Sequence, residues 1–354
     1  MSRFFSEKYA GLTPYTPGEQ PQDQQYVKLN TNESPFPPSE KAMRAALANL
    51  RPLQLYSDPD CRIVREKLAD IYGVDPCEVL VTNGSDEALN FCFMAFCDAS
   101  HGAVFPSISY GFYPVFAQVN GVPYTEIPLK ADFSVDADDY CGVGKTVFIA
   151  NPNAPTGKLL PPAEIEKILQ TNPDNVVVID EAYVDFGGVS CIPLVRRYDN
   201  LLVVQTFSKS RSLAGGRLGY AIGNRALIRD LDALRYSTNP YNVNSATLAL
   251  GEALLDDEET TRANCDYIKE TRAYTVAALE ALGFEVLPSC ANFVFARTPD
   301  VDGEALYLKL KARGVLIRHF SRPEIAQFNR ITIGTRQQMD VLLDNIKAIL
   351  VNGE

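Results

Sequence analysis

Apolar and polar positions change their pattern twice along the chain. Residues 1–39 are rich in Pro, Gln and Asn and read as an extended arm, not a helix. A helix is predicted from Ser39, a candidate N-cap, to about Leu50. The loop "RPLQLYSDPD" separates it from a second helix, from about Arg62 to Tyr72, and "EVLVT" is a short strand. From Gly84 the pattern shifts. "NGSDEALNFCFMAF" places a Gly-Ser turn, then acids, then an apolar helix, a strand–loop–helix junction whose first helical N–H groups are free. The runs "AVFPS", "TVFIANP", "VVVID" and "LLVVQTF" then alternate with helices, one of them after Pro161-Pro162, and "RLGYAIG" is a further strand. Such βα alternation predicts an α/β fold, a mostly parallel, doubly wound sheet covered on both faces.

After Asn239-Pro240 the chain turns helical, from about Ser245 to Leu282. "FEVLP", "NFVFART", a helix over 302–313, "GVLIRH" and "NRITIG" follow, and Thr335 with Gln338 has capping-box spacing at the start of a last helix. This tail has an α/β pattern of its own. The predicted organisation is an arm (1–39) packing with the small domain, a large domain (40–240) and a small C-terminal domain (241–354).

Charge and composition narrow the function classes. A net charge of −11 and a pI near 4.9 oppose nucleic acid or an anionic membrane as partner, while a local arginine pocket still permits a small anionic substrate. Eight cysteines from Cys61 to Cys290 contain no CxxC pair, and Cys92 and Cys97 sit in apolar surroundings. They read as buried thiols of a reducing cytoplasm, not disulfides or zinc ligands. His101 and His319 are the only histidines and lie far apart, which argues against a histidine metal site or a Ser-His-Asp triad. "MSRFFSEKYAG" lacks the layout of a signal peptide and no apolar stretch is long enough to cross a membrane, so a cytoplasmic enzyme is expected. "GVGKT" resembles the end of a phosphate-binding GxxxxGKS/T loop, but Asp139 stands where its first glycine belongs, and the apolar strand follows the segment; it reads as a turn.

The candidate chemistry centres on Lys209 in "TFSKSRSLAGGRLGY". Alone, such a lysine is a solvated loop residue. Here it follows the buried run Leu201-Leu202-Val203-Val204, while Asp180 ends the run Val176-Val177-Val178-Ile179, and Arg217 lies eight residues past the lysine among glycines. A lysine and an acid at strand ends with an arginine nearby are the parts that hold pyridoxal phosphate (PLP): a Schiff-base amine, a partner for the pyridinium nitrogen, and a phosphate counter-charge. Asp180 alone also fits a helix cap, and Arg217 a surface ion pair. Tyr183 suits the ring 3′-oxygen or the core. Thr206, Ser208 and the Gly84-Ser85-Asp86 turn suit the phosphate, and Tyr110 suits either ring stacking or the core.

The sequence resembles the fold-type I PLP-dependent aminotransferases and, within them, the histidinol-phosphate aminotransferases. The motifs "LNTNESPFPPS", "LYSDP", "VTNGSDEAL", "PSISYGFY", "NPNAPTG", "VVIDEAYVDF", "TFSKSRSLAGGRLGY" and "NRITIGT" stand in the family's order and spacing over nearly the whole chain. The resemblance implies that Lys209 is the Schiff-base lysine and proton shuttle, that Asp180 pairs with the ring nitrogen and Tyr183 with the 3′-oxygen. Thr206, Ser208, Arg217 and the Gly84-Ser85-Asp86 backbone would hold the phosphate, and Tyr110 would stack on the ring. It further implies a homodimer in which Tyr56 reaches the partner's phosphate, with Arg318 and Arg330 binding the substrate phosphate or carboxylate and Tyr15 closing over it. The expected reaction moves the amino group of L-histidinol phosphate, or of a related amine, to 2-oxoglutarate. Alternatives are an aromatic amino-acid aminotransferase, a PLP-dependent decarboxylase of a phosphorylated amino acid, and a non-catalytic ligand-binding module. One departure stands out: the family carries Asn before Pro-Thr-Gly, and here that position is Ala154, so either Asn153 reaches the ring or Tyr183 acts there alone.

Overall fold

The apolar runs of the first two-thirds of the chain become strands buried on both faces. The computed structural model describes residues 3–50 and 53–352. In chain order the first elements are β1 (Val27–Lys28), α1 (Glu40–Ala48), α2 (Arg62–Tyr72), β2 (Val79–Thr82), α3 (Ser85–Phe96), β3 (Ala103–Pro106), α4 (Tyr113–Asn120) and β4 (Tyr124–Ile127). They continue with β5 (Thr146–Ala150), α5 (Pro162–Thr171), β6 (Val177–Asp180), β7 (Leu201–Thr206), β8 (Gly219–Gly223) and α6 (Arg225–Thr238). Among the described residues, seven strands form the central sheet in the order β2-β8-β7-β6-β5-β3-β4. β8 runs antiparallel to both neighbours, and the pairs from β7 to β4 are parallel.

Side chains on a strand alternate between faces, and the core divides on that period. Val79, Val81, Val147, Ile149, Val177, Ile179, Leu201 and Val203 pack with α1, α2, α5 and α7 (Ser245–Leu255). Leu80, Phe148, Val178, Leu202 and Val204 pack on the opposite face with α3, α4 and α6. Among the described strands of this sheet, only the edge strand β4 is exposed, which fits its Thr125 and Glu126. α6 occupies a stretch where charged residues obscure the stripe of Ile228, Leu231 and Arg235 that it buries.

The remainder is α8 (Glu258–Ala281), β9 (Glu285–Val286), β10 (Phe293–Arg297), α9 (Gly303–Ala312), β11 (Val315–Leu316), β12 (Arg318–His319), β13 (Asn329–Thr332) and α10 (Arg336–Asn352). An antiparallel sheet of order β12-β13-β10-β9 packs against α8, α9 and α10. Its core includes Leu29 of the arm and also Ala154 and Tyr183, so it reaches the loops beyond the carboxyl ends of β5 and β6.

Two sequence expectations need correction. The helical stretch expected over Ser245 to Leu282 breaks between α7 and α8, at Asp257 in the N-cap position of α8, whose side chain accepts hydrogen bonds from the hydroxyls of Ser39 and Thr260. "GVLIRH" is not one strand. β11 pairs in parallel with β1 of the arm, and β12 pairs with β13, with Ile317 between. The predicted caps form: Ser39 Oγ accepts from the Ala42 N–H at 3.0 Å, and Thr335 and Gln338 bond reciprocally. "GVGKT" is a turn with Gly142 and Gly144 at φ +63° and +62°.

Candidate active site

Parallel strands open their carboxyl ends onto a crevice where ligands bind, and β6 and β7 deliver the central pair of residues there. Asp180 is the last residue of β6 and is 5% exposed. Its Oδ2 accepts from the Tyr113 hydroxyl of α4 at 3.1 Å and its Oδ1 from the Ala182 N–H at 3.3 Å. No basic side chain pairs with it among the described residues. Burial raises its carboxyl to about 6, against the pull of those hydrogen bonds. An acid so placed awaits a cation.

Lys209 lies just beyond β7. Its Nζ donates to the Thr31 carbonyl at 3.2 Å and sits 5.9 Å from the Tyr183 ring centroid. Burial, then the charge of Arg330 and to a lesser degree Arg217, lowers its amine to about 8, with Glu33 and Asp86 opposing. An amine lowered this far is free of its proton in part at mildly alkaline pH, where it is a nucleophile and a base. The Tyr183 hydroxyl accepts from Asn32 Nδ2 at 3.0 Å, and its ring meets Phe293 edge-on.

An anion cradle faces this pair. Gly84, at φ +77°, turns the chain into α3, leaving the first N–H groups of that helix free. A Cβ on Gly84 would lie 2.6 Å from Arg217 Nη2, and one on Gly219 would lie 2.4 Å from the Ser85 nitrogen, so both glycines are needed for the close approach. Arg217, itself left-handed at φ +54°, pairs with Asp86 at 2.9 Å, and the Tyr110 hydroxyl donates to the same carboxylate at 2.6 Å. The Thr206 hydroxyl donates to Ser208 Oγ at 2.9 Å. Ser85, Asp86, Tyr110, Thr206, Ser208 and Arg217 line one cavity of about 470 Å³.

A second cavity of about 470 Å³ shares Thr31, Tyr110, Ala154, Tyr183 and Lys209 with the first. Arg318 and Arg330 are directly opposed across β12 and β13 and both reach it. Arg330 Nη2 donates to the Asn30 carbonyl at 3.1 Å, its Nε has no partner, and the guanidinium lies near the rings of Phe293 and Phe320. Arg318 donates to the carbonyls of Thr16 and Pro17 in the arm. Among the described residues neither guanidinium lies within ion-pair distance of a carboxylate; each donates to backbone carbonyls, and like charges opposite one another across strands are unfavourable. Two such guanidiniums facing one cavity have the charge to receive an anion. Tyr15 stacks on Phe112 with centroids 4.1 Å apart and forms the outer wall.

The sequence-derived residues therefore sort by position. Lys209, Asp180, Tyr183, Ser85, Asp86, Tyr110, Thr206, Ser208 and Arg217 line one cavity, with Gly84 beneath Arg217. Tyr15, Arg318 and Arg330 line the adjoining one. Asn153 is not among them. Its Oδ1 accepts from Ser109, and its Nδ2 donates to the Ile108 carbonyl and Thr156, so the amide is spent on the protein and turned from the site. Ala154 faces both cavities instead. Tyr56 borders neither; it is 82% exposed and stacks on Tyr241. Sequence reasoning gave no role to Asn30, Thr31 and Asn32, although "LNTNESPFPPS" was a visible motif, nor to Tyr113 and Arg322, which carried no signal of their own.

The residues fit PLP: a cradle of N–H groups, hydroxyls and Arg217 for a phosphate, a buried unpaired acid for a ring nitrogen, and an amine between them. The family model for aminotransferase class I and II matches residues 24–346. The chain belongs to that aminotransferase family. A histidinol-phosphate aminotransferase of Brachyspira hyodysenteriae is 45% identical over 99% of this chain and all of its own length. One of Marinomonas sp. is 48% identical over 99% of this chain and all of its own. Among solved structures, the histidinol-phosphate aminotransferase of Sinorhizobium meliloti in complex with pyridoxal-5′-phosphate is 21% identical and superimposes with a TM-score of 0.90, covering 100% of this chain and 99% of that one. The two cavities lie between the central sheet and the smaller antiparallel sheet.

Proposed function

We propose that this aminotransferase holds PLP on Lys209 and transfers the amino group of L-histidinol phosphate to 2-oxoglutarate, giving imidazole acetol phosphate and glutamate, as a cytoplasmic homodimer. The observation that carries this reading is the lysine amine lining both cavities, with a buried acid in one and two opposed arginines in the other. Relatives at 45–48% identity that carry the name histidinol-phosphate aminotransferase support the donor. Eight unpaired thiols, five of them buried, suit a reducing compartment.

Each residue then has a task. The α3 N–H groups, Thr206, Ser208 and Arg217 bind the cofactor phosphate, and Asp180 keeps the ring nitrogen protonated. Bound there, PLP supplies an electron sink for the negative charge left when the substrate α-proton departs. Lys209 Nζ takes that proton from the substrate Cα, within reach because Thr31 orients the amine. Tyr110 forms a wall of the ring's recess and its hydroxyl fixes Asp86. Arg318 and Arg330 bind the donor's phosphate, and a dicarboxylate acceptor uses the same cations in its turn, which makes the kinetics ping-pong. Tyr15 and Pro17 exclude water from above. Tyr56 would serve the partner subunit's site.

Two experiments test the reading. Borohydride reduction should fix the cofactor on a peptide containing Lys209, and Lys209→Ala should retain bound PLP yet lose turnover by several orders of magnitude. A single-turnover donor screen with histidinol phosphate, phenylalanine, tyrosine, glutamate and threonine phosphate, followed by cofactor absorbance, should rank histidinol phosphate first. Preference for phenylalanine would move the assignment to the aromatic aminotransferases, and loss of CO2 from threonine phosphate would move it to the decarboxylases.

A further inference from the structure

Three consecutive arm residues each hold one functional side chain. The Asn30 carbonyl accepts from Arg330, the Thr31 carbonyl from Lys209, and the Asn32 amide donates to Tyr183. Asn32 is the most constrained of the three. It is left-handed at φ +55° and 1% exposed. Its N–H donates to Thr332 Oγ1 at 3.0 Å, its carbonyl accepts from Asn292 Nδ2 at 3.0 Å, and its Oδ1 accepts from the Thr332 hydroxyl at 3.0 Å. A hydroxyl has one proton, and that of Thr332 goes to Oδ1. With Oδ1 on Thr332, the other end of the amide, Nδ2, faces Tyr183. The Tyr183 oxygen is an acceptor on that side, so its own proton points elsewhere.

The cofactor cavity is lined by Tyr183 and not by Asn32. Its lining near the ends of β5 and β6 comprises Ala150, Ala154, Asp180, Ala182 and Tyr183. Three of these are methyl groups and one is an acid, so the Tyr183 hydroxyl is the only side-chain donor among them. The neighbouring amide of Asn153 is consumed by Ser109, Ile108 and Thr156.

We propose that Asn32 is a positioning residue that aims the Tyr183 proton at the ring oxygen of the cofactor, where Ala154 supplies no amide. The inference rests on the proposed binding of PLP at Lys209. A donor into the tyrosine oxygen strengthens the bond that the same hydroxyl donates onward. A proton donated to the ring oxygen draws electron density from the ring and lowers the proton affinity of the nitrogen joined to Lys209. Asn32 thus tunes a titration without touching the cofactor, and Thr332 of β13 ties that setting to the strand that carries Arg330.

The test is a spectrophotometric pH titration of the holoenzyme, read as the midpoint of the bound cofactor's visible absorbance. Tyr183→Phe should raise the midpoint. Asn32→Gly, which tolerates the left-handed backbone, should raise it by roughly 0.5–1 pH unit, on the order of one neutral hydrogen bond. Asn32→Asp, nearly isosteric, turns the donor into an acceptor that diverts the tyrosine proton, and should raise the midpoint further. In the Tyr183→Phe background Asn32→Gly should add nothing. Only the through-space effect of the new charge should survive there for Asn32→Asp, so the part that vanishes is the hydrogen bond. Near-UV circular dichroism and melting temperature monitor the fold. Equal shifts in both backgrounds, or unmoved midpoints in folded Asn32→Gly and Asn32→Asp proteins, overturn the inference while leaving the cofactor reading intact. A wild-type protein that never acquires the absorbance, or that is labelled on another lysine, overturns the cofactor reading itself.

Discussion

Burial pushes Asp180 and Lys209 toward neutrality from opposite directions, the acid up to about 6 and the amine down to about 8. For the acid this makes a stability statement about the protein without cofactor. Between an ordinary value of 3.8 and about 6 the folded chain keeps a proton that the unfolded chain has released, so stability falls as pH climbs through that window and the deficit is complete above it. Asp180→Asn removes the deficit. The apoprotein of that variant should outlast wild type in urea by about 2–4 kcal/mol at pH 7.5, with a smaller gain at pH 5. Its holoenzyme should lose about 10²–10³-fold in turnover, because a neutral amide cannot stabilise a pyridinium. Equal apoprotein stabilities at both pH values would show that the carboxylate is already compensated within the protein. For the amine, capture of PLP by the apoprotein should quicken as pH rises through about 8, where Lys209 loses its proton; a stopped-flow rate flat from pH 6.5 to 9 would contradict it.

At the scale of elements, the site depends on backbones that approach closely and on strands that place like charges together. Gly219 opens β8 against the Gly84-Ser85 turn, and a methyl there would meet backbone atoms at 2.4 and 2.5 Å. Gly219→Ala should leave the sheet folded but displace the start of α3 and raise the Kd for PLP by about tenfold or more. Unchanged affinity in equilibrium dialysis would remove the helix start from the phosphate site. Across β12 and β13, Arg318→Ala should cost about 2–4 kcal/mol in kcat/KM for histidinol phosphate and much less for an unphosphorylated aromatic donor; equal losses for both donors would return Arg318 to a carboxylate role. The strands and helices that frame these residues were legible because apolar runs and 3.6-residue spacing report burial directly. What such patterns do not report is the partner. "GVLIRH" has one apolar period and serves two sheets, and Asp257, at the helix break, bonds to Ser39, far away in sequence. Side-chain direction is equally hidden: Asn153 and Ala154 are adjacent in sequence, yet the amide turns to Ser109 and the methyl lines the cavity. The opposition of Arg318 and Arg330 was readable only as a condition, that their strands pair.

The molecule as a whole exposes an apolar surface away from Lys209. Leu47, Leu53 and Leu55 are 69%, 68% and 64% exposed, Tyr56 stacks on Tyr241 beside them, and Leu55 and Tyr56 line an open cavity of about 640 Å³ next to α7. Large apolar side chains exposed to this extent suit an interaction surface, and a second copy of the chain would cover them symmetrically. A homodimer with Tyr56 completing the partner's cofactor site accounts both for the exposure of Tyr56 and for its absence from its own chain's cavities. Hybrid dimers separate this arrangement from every intrachain one. Tyr56→Ala and Lys209→Ala homodimers should each be nearly inactive. After co-refolding, a hybrid dimer pairs the intact Lys209 of one subunit with the intact Tyr56 of the other in one of its two sites. Isolated hybrids should therefore recover about half the wild-type activity, since one site of two is whole. Acidic substitutions at both Leu53 and Leu55 should shift sedimentation toward monomer and abolish that rescue, because no partner remains to supply the tyrosine. Hybrids with no more activity than their parents would place Tyr56 in its own subunit's site, or outside the site altogether.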